Sequence, residues 1–297
     1  MSRLCLVLLL VTTTTTATAA EVTLSPGQSI SAALSRMGSG DTLTLRGGTY
    51  NENNLHPPSG STVQGALGEA VVIRPVGNAA PGFELGSASN VTIRNLKVDG
   101  SGGGISYGIR TNGGGSLIEN VTIVDVQNQG IALYCPGDNH TGCGGGGNRV
   151  VGVHVSGSGS AGCHGTTAQS GYCHGIYIYS NDNVIQDSEF DHNNGYGIQT
   201  YGAHTVLKND SVHNNGDGRG VTIPGYRAFD DNTVVNWDGA NGSAVAGEFH
   251  AGVTANVSVS SPPPMPPAEP STAFAGPELL QQALNVVAPQ VEVVGET

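Results

Sequence analysis

The stretch Gly175-Ile176-Tyr177-Ile178-Tyr179 returns 22 residues later as Gly197-Ile198-Gln199-Thr200-Tyr201. The same pattern, a glycine followed by an alternation of apolar and variable residues, also begins at Gly108, Gly130 and Gly220. The steps between successive glycines are 22, 45, 22 and 23 residues, so the long step equals either two coils or one coil with an insertion. A period near 22 with alternating apolar residues predicts short parallel strands stacked in successive coils.

A second repeated unit places an asparagine or aspartate after a short apolar run, as in Val91–Leu96 and Leu117–Val121. The residues at this position are Asn95, Asn120, Asp187 and Asn209. Side chains that recur once per coil stack on one another, so we assign this group to a structural ladder at one turn. Val234–Asn236 is a shorter echo of the unit and predicts one more coil.

The N-terminal region predicts a helix over Ser29–Met37, with apolar residues at helical spacing that would cap the open end of the stack. A run of the form GDTL-x-L-x-x-GTY-x-E follows at Gly40–Glu52. This combination resembles the start of pectate-lyase-like proteins, and His174–Tyr179 and Asn194–Tyr201 resemble their repeats. The resemblance covers about residues 21–260 and implies an all-β fold, the right-handed parallel β-helix. It implies no single reaction, because that superfamily includes lyases, hydrolases, epimerases and non-enzymes.

The two ends of the chain differ in composition from this region. Arg3, the apolar run Leu4–Val11 and the small residues up to Ala20 are typical of a signal peptide, which predicts a secreted protein. The predicted organisation is therefore a signal peptide at 1–20, a β-helix domain at 21–260, and a Pro-rich linker with a C-terminal tail at 261–297. No later stretch is apolar enough to span a membrane, and we expect a monomer.

The charge of the chain limits its partners, and its cysteines indicate disulfides or a metal site. The net charge of −12 disfavours binding to nucleic acid and to anionic membranes. In an exported chain, four cysteines predict two disulfides, with the local pairs Cys135–Cys143 and Cys163–Cys173 as the expected connectivity. A zinc site is the weaker alternative, because no CxxC spacing is present.

Alternation along the glycine-led strands predicts three outward columns that form one continuous strip. The first column holds Arg110, Ala132, Tyr177, Gln199 and Thr222. The second column holds Asn112, Tyr134, Tyr179, Tyr201 and Pro224. The third column holds the residues just before each glycine, which are Tyr107, Gln129, His174, Tyr196 and Arg219. Tyrosine rings stack on sugar faces, and arginine binds carboxylates through two parallel hydrogen bonds. The strip therefore predicts a site for an acidic sugar polymer, although tyrosines also suit cross-strand packing.

A polysaccharide lyase needs a base, an acid and a cation that offsets the uronate charge. The interpretation assigns His174 as the base, Tyr177 (or Tyr179) as the acid, and Arg219 (or Arg110) as the cation. The predicted sugar-binding residues are Arg110, Tyr134, Tyr179, Gln199 and Tyr201. Calcium is a possible cofactor through Asp182, Asp187, Glu189 and Asp191, although alternation separates these carboxylates.

Several functions remain open at this point. The first hypothesis is β-elimination on an extracellular acidic polysaccharide, and the alternative is a non-catalytic carbohydrate-binding or cell-surface protein. The Asp-Pro-His motif of alginate epimerases and the paired aspartates of polygalacturonases are absent, which makes an epimerase or a glycoside hydrolase less favoured. A purely structural envelope protein is the third hypothesis, and it predicts no affinity for sugars.

Overall fold

The computed structural model describes residues 18–74, 77, 79–134, 146–159, 173–202 and 204–216, and the backbone of 219–223, 227–230, 233–238, 245–249 and 253–257. The predicted signal peptide up to residue 17 and the tail after residue 257 lie outside this part of the chain, and so do the domain boundaries they define. Among the described residues, no helix has the length and apolarity needed to cross a bilayer.

The helix α1 (Ile30–Leu34) follows the first strand, and all other regular elements are short strands. The strands are β1 (Glu21–Leu24), β2 (Thr42–Leu45), β3 (Gly48–Tyr50), β4 (Thr62–Gly65), β5 (Val71–Ile73), β6 (Phe83–Gly86), β7 (Thr92–Asp99), β8 (Ile109–Thr111), β9 (Leu117–Val124), β10 (Ile131–Leu133), β11 (Arg149–Val151), β12 (His154–Ser156), β13 (Ile176–Ile178), β14 (Val184–Gln186), β15 (Glu189–Asp191), β16 (Ile198–Thr200), β17 (Val206–His213), β18 (Arg219–Ile223), β19 (Arg227–Asp230), β20 (Thr233–Asp238), β21 (Val245–Phe249) and β22 (Val253–Val257).

Parallel pairing between successive coils builds two sheets. The larger sheet runs β1-β2-β4-β7-β9-β11-β14-β17, with β3, β5, β12 and β15 on side branches of the same sheet. The smaller sheet runs β6-β8-β10-β13-β16-β18. The predicted parallel β-helix is confirmed, and the 45-residue step is one coil with an insertion because β10 pairs directly with β13.

The core is a stack of the apolar residues that follow the repeated glycines. Ile109, Ile131, Ile176 and Ile198 lie in register and are fully buried, as alternation predicts. Full burial of one such side chain is worth about 1.5–3 kcal/mol. The glycine before each isoleucine is required by packing, since a Cβ at Gly175 would lie 2.6 Å from the Gly197 carbonyl oxygen.

The helix α1 is shorter than the predicted span Ser29–Met37. Ser29 is its N-cap, and its hydroxyl accepts a hydrogen bond from the Ala32 amide at 3.2 Å. The Glu52 carboxylate also accepts from the Ile30 amide at 2.6 Å, which explains why a glutamate ends the Gly40–Glu52 run. The amides of Arg36 and Met37 bond to carbonyls three residues back, so the helix tightens and ends. Its capping role stays a prediction.

The polar turn ladder is confirmed and has a backbone cause. Asn95, Asn120, Asp187 and Asn209 all have φ between 50° and 56°, a left-handed conformation that asparagine and aspartate tolerate better than most residues. Asn209 donates a side-chain hydrogen bond to Asp187 at 2.8 Å, and Asn120 donates one to Asn95 at 3.5 Å. On the coil between Asn120 and Asp187, a glycine takes the place of the asparagine or aspartate: this is Gly152, whose φ is 61°.

The parallel repeat ends earlier than predicted. Val234–Asn236 lies in β20, which pairs antiparallel with β17, so the prediction of a further coil there is wrong. A three-residue connection separates β18 from β19, and such a short connection permits an antiparallel hairpin but not a crossover to a parallel strand. Strands β20, β21 and β22 continue the larger sheet as antiparallel neighbours.

Candidate functional site

The outer face of the smaller sheet carries the first predicted column in the predicted order. Strand pairing aligns Arg110 with Ala132, Ala132 with Tyr177, and Tyr177 with Gln199. Thr222 continues the column by backbone register, and Glu84 precedes it on the N-terminal side. The side chains of Arg219, Thr222 and Pro224 lie outside the described part of the chain.

The tyrosines of this face form a continuous set of ring contacts. Tyr179 stacks between Tyr134 and Tyr201, with centroids 6.4 and 5.1 Å apart and 25° between the planes in each case. Tyr177 contacts this row from the neighbouring column, and its centroid lies 4.8 Å from that of Tyr179. We call Tyr134, Tyr177, Tyr179 and Tyr201 the tyrosine strip; all four are partly exposed.

His174 does not lie on the outside, which corrects the prediction from alternation. Its exposed fraction is 2%, and Gln129 at the equivalent position is fully buried. The reason is local, since strand β13 begins at Ile176 and the alternation of a strand does not extend into the turn before it. His174 stacks under Tyr177 and Tyr196, with centroids 5.7 and 5.0 Å away.

The protonation of His174 follows from its contacts. Nδ1 accepts a hydrogen bond from the Tyr196 amide at 3.0 Å, so the proton of the neutral ring is on Nε2. Burial lowers the pKa of His174 to about 3, which keeps the ring neutral at physiological pH. Nε2 has no hydrogen-bond partner among the described residues. The lone pair that a base would use is therefore occupied, and this arrangement argues against the assignment of His174 as the base.

Hydrogen bonds tie the hydroxyl groups of the strip to neighbouring side chains. Burial raises the pKa of Tyr177 far above its usual value, and a hydrogen bond with the Tyr179 hydroxyl adds to the effect. Gln199 donates to the Tyr201 hydroxyl at 3.0 Å, and the Tyr134 hydroxyl donates to Gln129 at 3.2 Å. These bonds fix the rings in place while leaving part of each ring accessible.

Arg110 supplies a cation at the N-terminal end of the strip. Its Nε lies 3.2 Å from the Glu84 carboxylate, and its guanidinium carbon lies 5.9 Å from the centre of the Tyr134 ring. The side chain is 38% exposed, so its outer nitrogens remain accessible to a ligand. Glu84 offsets part of this charge, which the sequence interpretation did not anticipate.

The model of the right-handed β-helix region matches residues 81–237, which is more than half of the chain. The chain belongs to the right-handed β-helix family. No curated protein matches the sequence significantly.

Solved structures similar to this β-helix protein include pectate lyase Pel9A, with a TM-score of 0.51 and 16% identity over 69% of this chain and 59% of that chain. The alginate lyase from Paenibacillus sp. str. FPU-7 matches with a TM-score of 0.38 and 12% identity, over 68% of this chain and 85% of that one. The A-module of the Azotobacter vinelandii mannuronan C-5 epimerase AlgE4 matches with a TM-score of 0.27 and 15% identity, over 65% of this chain and 76% of that one. The chain thus spans less than two thirds of the pectate lyase, and at these identities the likeness concerns the fold alone.

The cysteines of this β-helix protein fall mostly outside the described residues. Cys173 is buried, while Cys135, Cys143 and Cys163 lie in 135–145 and 160–172, which the structure does not describe. The two predicted pairings therefore stay predictions.

The larger sheet carries a second polar group, which the sequence interpretation missed. His154, Glu189 and Asp191 bring one potential ligand atom each within 4.8 Å of one another. Burial acts to raise the pKa of Asp191, but hydrogen bonds from His154, His192 and Ser156 hold it below its usual value. His192 contacts the Asp191 carboxylate, and His213 contacts that of Glu189. The coil period could have revealed part of this group in the sequence, because His213 follows Asp191 by 22 residues.

The four carboxylates proposed for calcium are not brought together. Asp182 contacts His204, Asp187 contacts Asn209, and Glu189 contacts His213. Among the described residues, the group of His154, Glu189 and Asp191 is the one that gathers three potential metal ligands.

Proposed function

We propose that this protein binds an extracellular, acidic polysaccharide along the tyrosine strip. The observation that carries the proposal is the row of stacked, partly exposed rings of Tyr134, Tyr179 and Tyr201 on successive coils. Rings stacked in such a row present apolar edges and hydroxyl groups to the rings and oxygens of a sugar chain. The predicted signal peptide at 1–20 supports an extracellular ligand.

Arg110 is the basis for proposing an acidic polymer. A guanidinium with accessible outer nitrogens binds a carboxylate through two parallel hydrogen bonds, and it lies beside Tyr134 at one end of the row. The backbone of Arg219 lies on β18, which pairs with β16, and Arg219 stays a predicted second cation. A cation beside an aromatic row would suit a chain of uronate residues better than a neutral glucan.

A second candidate function is β-elimination on the bound polymer. The protonated Tyr177 hydroxyl, held beside Tyr179, favours it, since a lyase needs an acid that protonates the leaving oxygen. The His174 lone pair is occupied, so the hypothesis keeps Tyr177 as the acid and Arg219 as the predicted cation, and it assigns no base. Tyr177 and Arg219 therefore stay in the catalytic hypothesis, and His174 takes the role of holding Tyr177 and Tyr196 by stacking.

The binding proposal is tested by titrating the signal-free chain with oligomers of pectate, alginate and glycosaminoglycans, with a neutral glucan as the reference polymer. Arg110→Ala should weaken binding of the acidic oligomer about tenfold, as expected for loss of a charge-assisted contact. Arg94→Ala is the matched control, because Arg94 is 40% exposed, pairs with a glutamate and lies on the larger sheet. Binding that is absent for every acidic polymer, or that is unchanged in Arg110→Ala, would contradict the proposal.

The catalytic candidate is tested with the same polymers by absorbance near 235 nm, where unsaturated uronates absorb. Tyr177→Phe keeps the ring and removes the hydroxyl, so it should retain polymer binding while abolishing any lyase activity. A flat absorbance trace with wild-type protein that binds the polymer would leave the protein as a carbohydrate-binding β-helix.

A further inference from the structure

We propose that His154, Glu189, Asp191 and His213 bind one divalent metal ion of the zinc class on the outer face of the larger sheet. The four side chains come from three consecutive coils, on β12, β15 and β17. A bound ion would therefore fasten three coils to one another. The inference is independent of the sugar-binding proposal, which concerns the other sheet.

Strand register explains how the four side chains meet. His154 pairs with Glu189, and Asp191 pairs with His213, so the residues occupy neighbouring rungs of one parallel ladder. Glu189 and Asp191 are two residues apart and therefore share a face. Phe190 lies between Glu189 and Asp191 in sequence, Val155 follows His154, and Val212 precedes His213. All three apolar side chains point into the core. The core packing thus forces the four polar side chains outward to one spot.

The distances are close to those that a metal ion requires. His154 Nε2 lies 2.8 Å from Asp191 Oδ1, and His213 Nε2 lies 2.8 Å from Glu189 Oε1. In a tetrahedral zinc site the ligands lie about 2.0–2.2 Å from the ion, which separates ligand atoms by about 3.3 Å. These two pairs would open by about half an ångström to admit the ion. The ligand atoms of His154, Glu189 and Asp191, which lie within 4.8 Å of one another, would draw closer, and His213 would join them through its contact with Glu189.

A further histidine orients the most buried carboxylate. His192 Nδ1 lies 2.6 Å from Asp191 Oδ2, which leaves Oδ1 directed toward His154. Outer partners of this kind hold ligating carboxylates in position and tune metal affinity. Glu189 is about half-exposed, so an ion can enter from solvent.

The donor set selects the class of metal. Two imidazoles and two carboxylates match zinc and related transition metals, whereas calcium prefers six to eight oxygen ligands. The competing explanation is a hydrogen-bonded network of histidines and carboxylates that binds no ion. His204 and Asp182 form an ordinary exposed pair at 3.0 Å, outside this group, and provide the matched control.

The test is isothermal titration of the untagged, chelator-treated full chain with zinc chloride, repeated with calcium chloride. The expected result is one saturable zinc site per chain that excess calcium does not block. His154→Gln and His213→Gln should each weaken zinc binding at least tenfold, His192→Gln should weaken it about tenfold, and His204→Gln should leave it unchanged.

Circular dichroism shows whether each variant remains folded, and a cobalt spectrum provides a readout that needs no variant. Cobalt bound to wild-type protein should give the visible bands of a four-coordinate site and should be displaced by zinc. The absence of a saturable zinc site, a six-coordinate cobalt spectrum, or equal zinc affinity in folded His154→Gln, His213→Gln and wild-type chains would overturn the proposal.

Discussion

The outer faces of the two sheets use the same coil period for different chemistry. On the smaller sheet the period stacks tyrosine rings into a nearly uncharged row, with Arg110 and Glu84 at one end. On the larger sheet it gathers histidines and carboxylates around Asp191. Inward positions are confined to apolar residues by the core, whereas outward positions are free to vary. In a solenoid, side chains that could bind a ligand are therefore expected in the outward columns.

The two faces depend on a common buried polar frame, and breaking it should damage both. Asn193 is buried, accepts from the Ser158 amide at 3.0 Å and donates to Asn215 at 2.9 Å. Asn193→Ala removes the acceptor of the buried Ser158 amide and the side-chain bond to Asn215, and it should lower the free energy of unfolding by about 2–3 kcal/mol. Urea denaturation measures the change, with the exposed Asn51→Ala as the control expected within about 0.5 kcal/mol of wild type. An equal effect of both variants would contradict the role of the buried ladder.

The next expected effect, on sugar binding, distinguishes the outer faces of the two sheets. Tyr179→Ala removes the central ring of the strip and should weaken binding of the acidic oligomer about tenfold, because stacking contacts are worth about 0.5–1.5 kcal/mol each. His192→Ala, on the larger sheet, should leave sugar affinity unchanged. Titration calorimetry with both variants decides the point, and loss of sugar binding in His192→Ala alone would reverse the assignment of faces.

The pH dependence of stability tests a buried carboxyl group of the larger sheet. Burial raises the pKa of Asp210 to about 8 from a usual value of 3.8. Between these values the unfolded chain releases this proton while the folded chain keeps it, so this group lowers stability as pH rises from about 4 to 8. Asp210→Asn should flatten the pH dependence of the unfolding free energy. A slope that is unchanged from wild type across this range would show that Asp210 is already ionised in the folded protein.

Much of the fold could be predicted because the repeat is explicit in the residues. The isoleucine after each glycine identified the inward column, and the register of Arg110, Ala132 and Tyr177 followed from the 22-residue step. His174 was misplaced because strand alternation does not apply in the preceding turn. The antiparallel pairing of β20 depends on the direction of the chain after β19, and no local pattern in Val234–Asn236 encodes it.

The histidine–carboxylate group escaped the sequence analysis for a different reason. His154 precedes Glu189 by 35 residues, because the insertion lengthens that coil, so it lacks the regular spacing of the other repeats. The partners meet only once β12 is paired with β15. The sequence shows the histidines and carboxylates themselves. Whether they meet in space depends on the length of a single coil.

Oxidative footprinting of the full chain, with and without a saturating acidic oligosaccharide, tests the central claim most directly. The account predicts protection of Tyr134, Tyr179 and Tyr201 on the smaller sheet, and no change at His154 or His213 on the larger sheet. Protection confined to the larger sheet, or no protection at the three tyrosines under saturating conditions, would contradict the claim that the tyrosine strip binds the polymer.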